Sequence, residues 1–161
     1  MNLRRWWEAH FFILEFVLAV VIGLGFVVWS EAFDKRQFLF MLTLDNRESI
    51  YGTLASLFGS MLGFSITAVS IVLGYVANDK MAIVRKSKKY NELWEVFKSA
   101  IRILGASTIM ALFGLFFDKS GTTNLLIFYV NIVFSVLSLF RVARCVWVLE
   151  NIIAIVTRDI Q

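Results

Sequence analysis

Three charged side chains stand inside stretches that are otherwise apolar: Glu15, Arg102 and Arg141. A charge in hydrocarbon is costly, so such a residue pairs with an opposite charge, snorkels to the interface or serves a function. Each lies about one helical turn inside the expected boundary of its helix, on the side of the termini. A cluster of all three is therefore geometrically open, either as a structural clamp or as a gate. Arg102 and Arg141 are long enough to act singly as interfacial anchors, whereas Glu15 has less reach and is expected to pair with one of them. On the same face of its helix, Ala19 and Gly23 would let a neighbour approach.

A second set of residues sits in the run GSMLGFSITAVSIVLG, residues 59 to 74. Placed on a helix with Gly63 at zero, Gly52, Ser56, Gly59, Ser60, Thr67, Ser70 and Gly74 fall within about −40° to +60°. Most large apolar residues of the run lie outside that arc, and Ser65 is far from it. The positions 56, 60, 63, 67, 70 and 74 alternate steps of four and three, the repeat of a left-handed seam, while Gly59 and Gly63 add a G-x-x-x-G suited to close approach. Small residues let helices pack where no hydrophobic effect drives association, and hydroxyls around an axis line a wet path. Packing is the favoured reading, and the pore stays open beside it. Asn131, Ser135, Ser138 and Cys145 form a further stripe, with Asn131 near mid-membrane. That amide is expected to face protein, in a bond between helices of one subunit or in an oligomer contact.

Signs of an enzyme are nearly absent. There is one histidine and one cysteine in 161 residues, so no H-E-x-x-H, no cysteine pair for zinc or redox work, no P-loop and no G-x-G-x-x-G after a strand. The segment RWWEAH, Arg5 to His10, formally fits the loose Arg-x4-6-His pattern of HEPN-type ribonucleases. Basic and aromatic residues at the mouth of a spanning helix are, however, what interface anchoring produces. Cys145 reads as a small apolar residue in a reduced compartment. The expectation is a non-enzymatic protein without cofactor or metal.

The elements that must position these residues are four apolar helices. The chain is 59% hydrophobic with no proline, and its mean hydropathy is +0.75, well above an ordinary soluble domain. Apolar runs long enough to cross a ~30 Å hydrocarbon layer occur at residues 9–30, 51–77, 98–117 and 124–149. They leave an outer loop at 31–50, a basic hairpin at 78–97 and a short tail at 150–161, all in one domain. The first run follows Arg4 and Arg5 but holds Glu15 and bulky aromatics with no small-x-small cleavage site, so it reads as retained. Arg4, Arg5, Lys80, Arg85, Lys86, Lys88, Lys89 and Arg158 fall on one side. On the other, Lys35, Arg36, Arg47 and Lys119 are offset by Glu31, Asp34, Asp45, Glu48 and Asp118. This bias puts both termini and the hairpin in the cytoplasm. The net charge of +4 is then a topology signal, and no direct nucleic-acid partner is expected.

In the hairpin, helices two and three are expected to run past the membrane surface around the turn RKSKKYN. Arg85, Lys86, Lys88, Lys89 and Trp94 there would dock a cytosolic partner or touch lipid headgroups. The outer segment QFLFMLTL is too short to span and is expected to lie along the interface.

The run from Gly63 through Ile103, GFSITAVSIVLGYVANDKMAIVRKSKKYNELWEVFKSAIRI, resembles a layout of small four-helix bacterial membrane proteins from prophage and antiphage-defence loci. There a Gly-Phe-x-x-Thr-Ala-x-Ser-Ile helix leads through a cytoplasmic basic hairpin into a helix opening on Phe-x-x-Ala-Ile. The resemblance implies an inner-membrane subunit of a defence system, such as the membrane component of Kiwa or a CRISPR-associated membrane effector. It implies a sensor or pore working with a cytosolic partner, and it assigns no role to any single residue. The whole reading is an all-α integral membrane four-helix bundle, homo-oligomeric through helix two, with helix four as a second candidate surface. It would act as a sensor or anchor for a cytosolic effector, or else as an ion-conducting pore lined by helix two.

Overall fold

Without proline, and with apolar runs that must satisfy every backbone polar group internally, helix is the state open to these segments in lipid. The computed structural model describes residues 3–33, 46–76, 88–118 and 125–158, with side chains over 13–33, 46–73, 93–118 and 125–150. These form α1 (Leu3–Ala32), α2 (Arg47–Val76), α3 (Lys88–Phe117) and α4 (Leu125–Arg158). Each holds a span long and apolar enough to cross a membrane: Ile13–Ala32, Arg47–Leu73, Leu93–Phe117 and Leu125–Glu150.

The helices outrun the apolar cores read from sequence. α2 starts at Arg47 rather than at 51 because the Arg47 charge is neutralised inside the protein, as described below. α3 starts at Lys88 rather than at 98, since KKYNELWEV contains neither glycine nor proline and places Leu93, Val96 and Phe97 on one packed face. α4 continues to Arg158 without a breaker. The hairpin turn, including Arg85 and Lys86, and the outer segment QFLFMLTL lie outside the described residues.

Three seams join the helices: α2 on α3, α3 on α4, and α4 on α1. Among the described residues α1 and α2 share no seam of this kind, so the central pair α3 and α4 carries a helix on either side. Where α2 ends and α3 begins, Leu93, Val96, Phe97 and Ala100 pack with Cys145, flanked by Ala68, Val69, Val72, Val148 and Leu149. Further along α3 and α4, the Ser107 and Ser138 hydroxyls hydrogen-bond at 2.7 Å. α2 is the least enclosed helix: 6% of its most apolar window is buried, against 28% in α3 and in α4.

Candidate functional site

The α1–α4 seam is built from small residues and one buried charge. Ala19 is fully buried, and Gly23 lies so close to the Val133 side chain that any Cβ would collide with it. Ser30 and the Tyr129 hydroxyl meet at 3.0 Å, and the Phe26 ring stands edge-on to Tyr129. At the other end of the seam the Glu15 carboxylate, 9% exposed, sits between two arginines. Arg141 approaches Oε2 at 2.7 Å, and Arg144 Nε donates to Oε1 at 2.6 Å.

This arrangement corrects the three-member cluster read from sequence. Glu15 and Arg141 meet, but Arg102 is exposed on α3 and no ion pair joins it to them. The packed face of α3 carries Ala100, Leu104, Ser107 and Ala111, and Arg102 is turned about 140° or more from each of them on a helix. The second arginine is instead Arg144, one turn beyond Arg141 on the face of α4 that meets α1. An i, i+3 arginine pair is a readable signal, but Arg144 falls close to the end of the apolar run and passes as a boundary charge.

A second buried ionic site is formed by residues that the sequence places in loops. Arg47, at the start of α2, gives Asp118 a two-pronged hydrogen bond at 2.7 and 2.8 Å, and the Tyr51 hydroxyl donates to the same carboxylate at 2.7 Å. All three side chains are essentially sealed: Arg47 is 3%, Tyr51 0% and Asp118 1% exposed. Gly114 makes room for the tyrosine, since a Cβ there would stand 2.7 Å from two ring carbons. Gly114→Val is expected to destabilise the protein by about 1–3 kcal/mol through this overpacking. Gly59→Ala is expected to leave the protomer's detergent melting temperature unchanged or slightly raised, because nothing lies within 4 Å of its Cβ position.

The small-residue face of α2 has an unexpected placement. Ser56, Ser60, Gly63, Thr67 and Ser70 are exposed and Gly52 and Gly59 half-buried; Gly74 is helical, and its surroundings lie outside the described residues. Among the described residues, nothing beyond the local helix backbone stands within 4 Å of the Cβ positions of Gly52, Gly59 or Gly63. The face packed on the bundle is the opposite one, with Tyr51, Phe58, Ser65, Ala68, Val69 and Val72. Among the described residues, the small side chains from Gly52 to Ser70 therefore pack against no other helix of the protomer. The Thr67 and Ser70 hydroxyls donate to the carbonyls of Gly63 and Ile66 on their own helix, at 3.0 and 2.9 Å. Ser49, Gly52, Thr53, Ser56, Leu57 and Ser60 line a shallow open concavity on this face.

The α4 stripe has the reverse fate. Asn131 is 1% exposed and donates to the carbonyls of Ile127 at 3.0 Å and Met110 at 3.4 Å. Ser135 donates to the Asn131 carbonyl, Ser138 meets Ser107, and Cys145 lies in the apolar core. Asn131 and Ser138 thus spend hydrogen bonds on α3, and Ser135 on its own helix. Lys88 and Lys89 fall in the first turn of α3, with side chains outside the described residues, and Trp94 is half-buried. Among the described residues no group of three or more His, Cys, Asp or Glu stands where it could hold a metal ion.

Fold and site together define an all-helical protein with four helices fit to cross a membrane, tied by two buried ionic sites. Set against protein-family models, curated proteins and solved structures, the chain matches none of them.

Proposed function

We propose that this chain is a non-enzymatic, homo-oligomeric inner-membrane subunit of a bacterial, antiphage-type system. It meets a second copy along α2 and couples to a cytosolic protein through Arg85, Lys86, Lys88, Lys89 and Trp94. One observation carries the oligomer. The face of α2 that is smallest, and so best suited to close helix approach, points away from its own protomer. A helix presented only to lipid gains nothing from lacking bulk along one face, whereas a second helix does. Because Thr67 and Ser70 satisfy their donors on their own carbonyls, the contact can be dry, which favours a sensor or anchor.

The exposed hydroxyls of Ser56, Ser60, Thr67 and Ser70 also support the second reading, an ion-conducting pore lined by this face. Both readings meet in one experiment. Cysteines at 63 and 67, in a Cys145→Ala background, are expected to cross-link between copies in native membranes, and Thr67→Leu is expected to abolish the oligomer. Absence of cross-links defeats the shared interface. Ion flux in liposomes that Thr67→Leu blocks while the oligomer persists transfers the function to the pore.

A further inference from the structure

A contact at one point leaves two helices free to roll about their axes. Arg47 and Tyr51, one turn apart on α2, instead converge on the one carboxylate of Asp118, with bonds of 2.7 to 2.8 Å. The tyrosine ring also lies close against α3 at Gly114, in space that a Cβ there would fill. Charge-assisted bonds of this kind are directional, so together they define an angle as well as a distance. Further along α2, Ala68, Val69 and Val72 meet the cluster of Leu93, Val96, Phe97 and Ala100, and aliphatic burial has no direction. On the wheel of α2, Arg47 and Tyr51 lie within about 40° of each other, on the side of the helix opposite the small-residue face. Rolling α2 would therefore break the buried bonds and swing that face out of place together.

We propose that the Arg47, Tyr51 and Asp118 latch sets the rotation of α2 and so decides which of its residues the protomer presents to a second copy; the second-copy part rests on the function proposed above. The latch lies at the end where α2 begins and α3 ends. Events there reach Gly63, some 24 Å down the helix at 1.5 Å per residue, by rolling α2 as a rigid rod.

The test is a spin-label scan of positions 54 to 70, one cysteine at a time in the Cys145→Ala background, with oxygen accessibility as the readout. Accessibility should rise and fall with the helical period, and its phase gives the rotation whether or not copies associate. In Arg47→Met/Asp118→Leu, which keeps side-chain bulk but removes the directional bonds, the phase is expected to shift by about 50° or more, half the angle between neighbouring residues. Tyr51→Phe, which loses one bond and keeps the ring, is expected to shift it less and in the same direction, and it decides the matter if the double variant fails to fold. An unchanged phase in every variant that folds overturns the latch. Wild-type cross-linking at 63 and 67 reports separately on the second copy. Its absence beside a latch-dependent phase overturns the interface alone.

Discussion

Asp118→Ala is expected to destabilise the protein by about 3–5 kcal/mol, the cost of leaving a buried partner charge uncompensated. Arg47 is 3% exposed, and the substitution removes the carboxylate to which two of its hydrogen bonds run, together with the acceptor of the Tyr51 hydroxyl. Neither group can turn to water without dragging the end of α2 away from α3. Replacing both charges, as Arg47→Met/Asp118→Leu, is expected to recover most of the loss, because a buried ion pair costs desolvation that an apolar pair does not. Thermal unfolding in detergent measures both variants. A single variant as stable as wild type, or a double variant worse than the single, would show that the ion pair is not what holds this end.

Glu15→Ala is expected to cost a similar ~3–5 kcal/mol, at a different place. It strips Arg141 and Arg144 of the carboxylate they share, on a seam where α1 is held by α4 alone among the principal contacts. Hydrogen exchange should therefore quicken over residues 13–32 while the α2–α3 pair keeps its protection; in Asp118→Ala the pattern should invert. Uniform loss of protection in both variants would mean that the four helices open as one cooperative unit rather than peeling from either side. Arg102→Ala provides the contrast: an exposed arginine outside the ion pairs is expected to change stability by no more than about 0.5 kcal/mol.

Much of this protein was legible in the order of its residues. Four apolar runs without proline admit little but four helices long enough to span, and each described helix covers its run to within one residue, with α1, α2 and α3 starting earlier and α4 ending later than the run. The wheel of helix two separates a small face from a bulky one, but exposure does not follow that division: Ser56, Ser60, Thr67 and Ser70 are exposed, and so are the bulky Leu57, Phe64, Ile66 and Ile71, while Tyr51 and Phe58 are buried. Glu15, short and charged in an apolar run, had to find a cation, and Arg141 is one of the two it meets.

Three outcomes were decided by tertiary structure. Depth along a helix is readable from sequence, but the direction a residue faces relative to another helix depends on which neighbour packs where. Depth alone therefore places Arg102 beside Glu15, although Arg141 and Arg144 hold the carboxylate. Arg47 and Asp118, 71 residues apart, each bound an apolar run and read as loop charges; only antiparallel packing of α2 on α3 brings them together and buries them. The small-residue face and the Asn131 stripe looked alike, since each lines one side of its helix with small or polar groups. Packing spent the stripe of Asn131, Ser135 and Ser138 inside the protomer and left the face of Ser56, Gly63 and Thr67 bare. The residue pattern gives every helix its faces, because period and polarity are local. Which face meets a neighbour is a property of the assembled helices, because it depends on how whole surfaces fit.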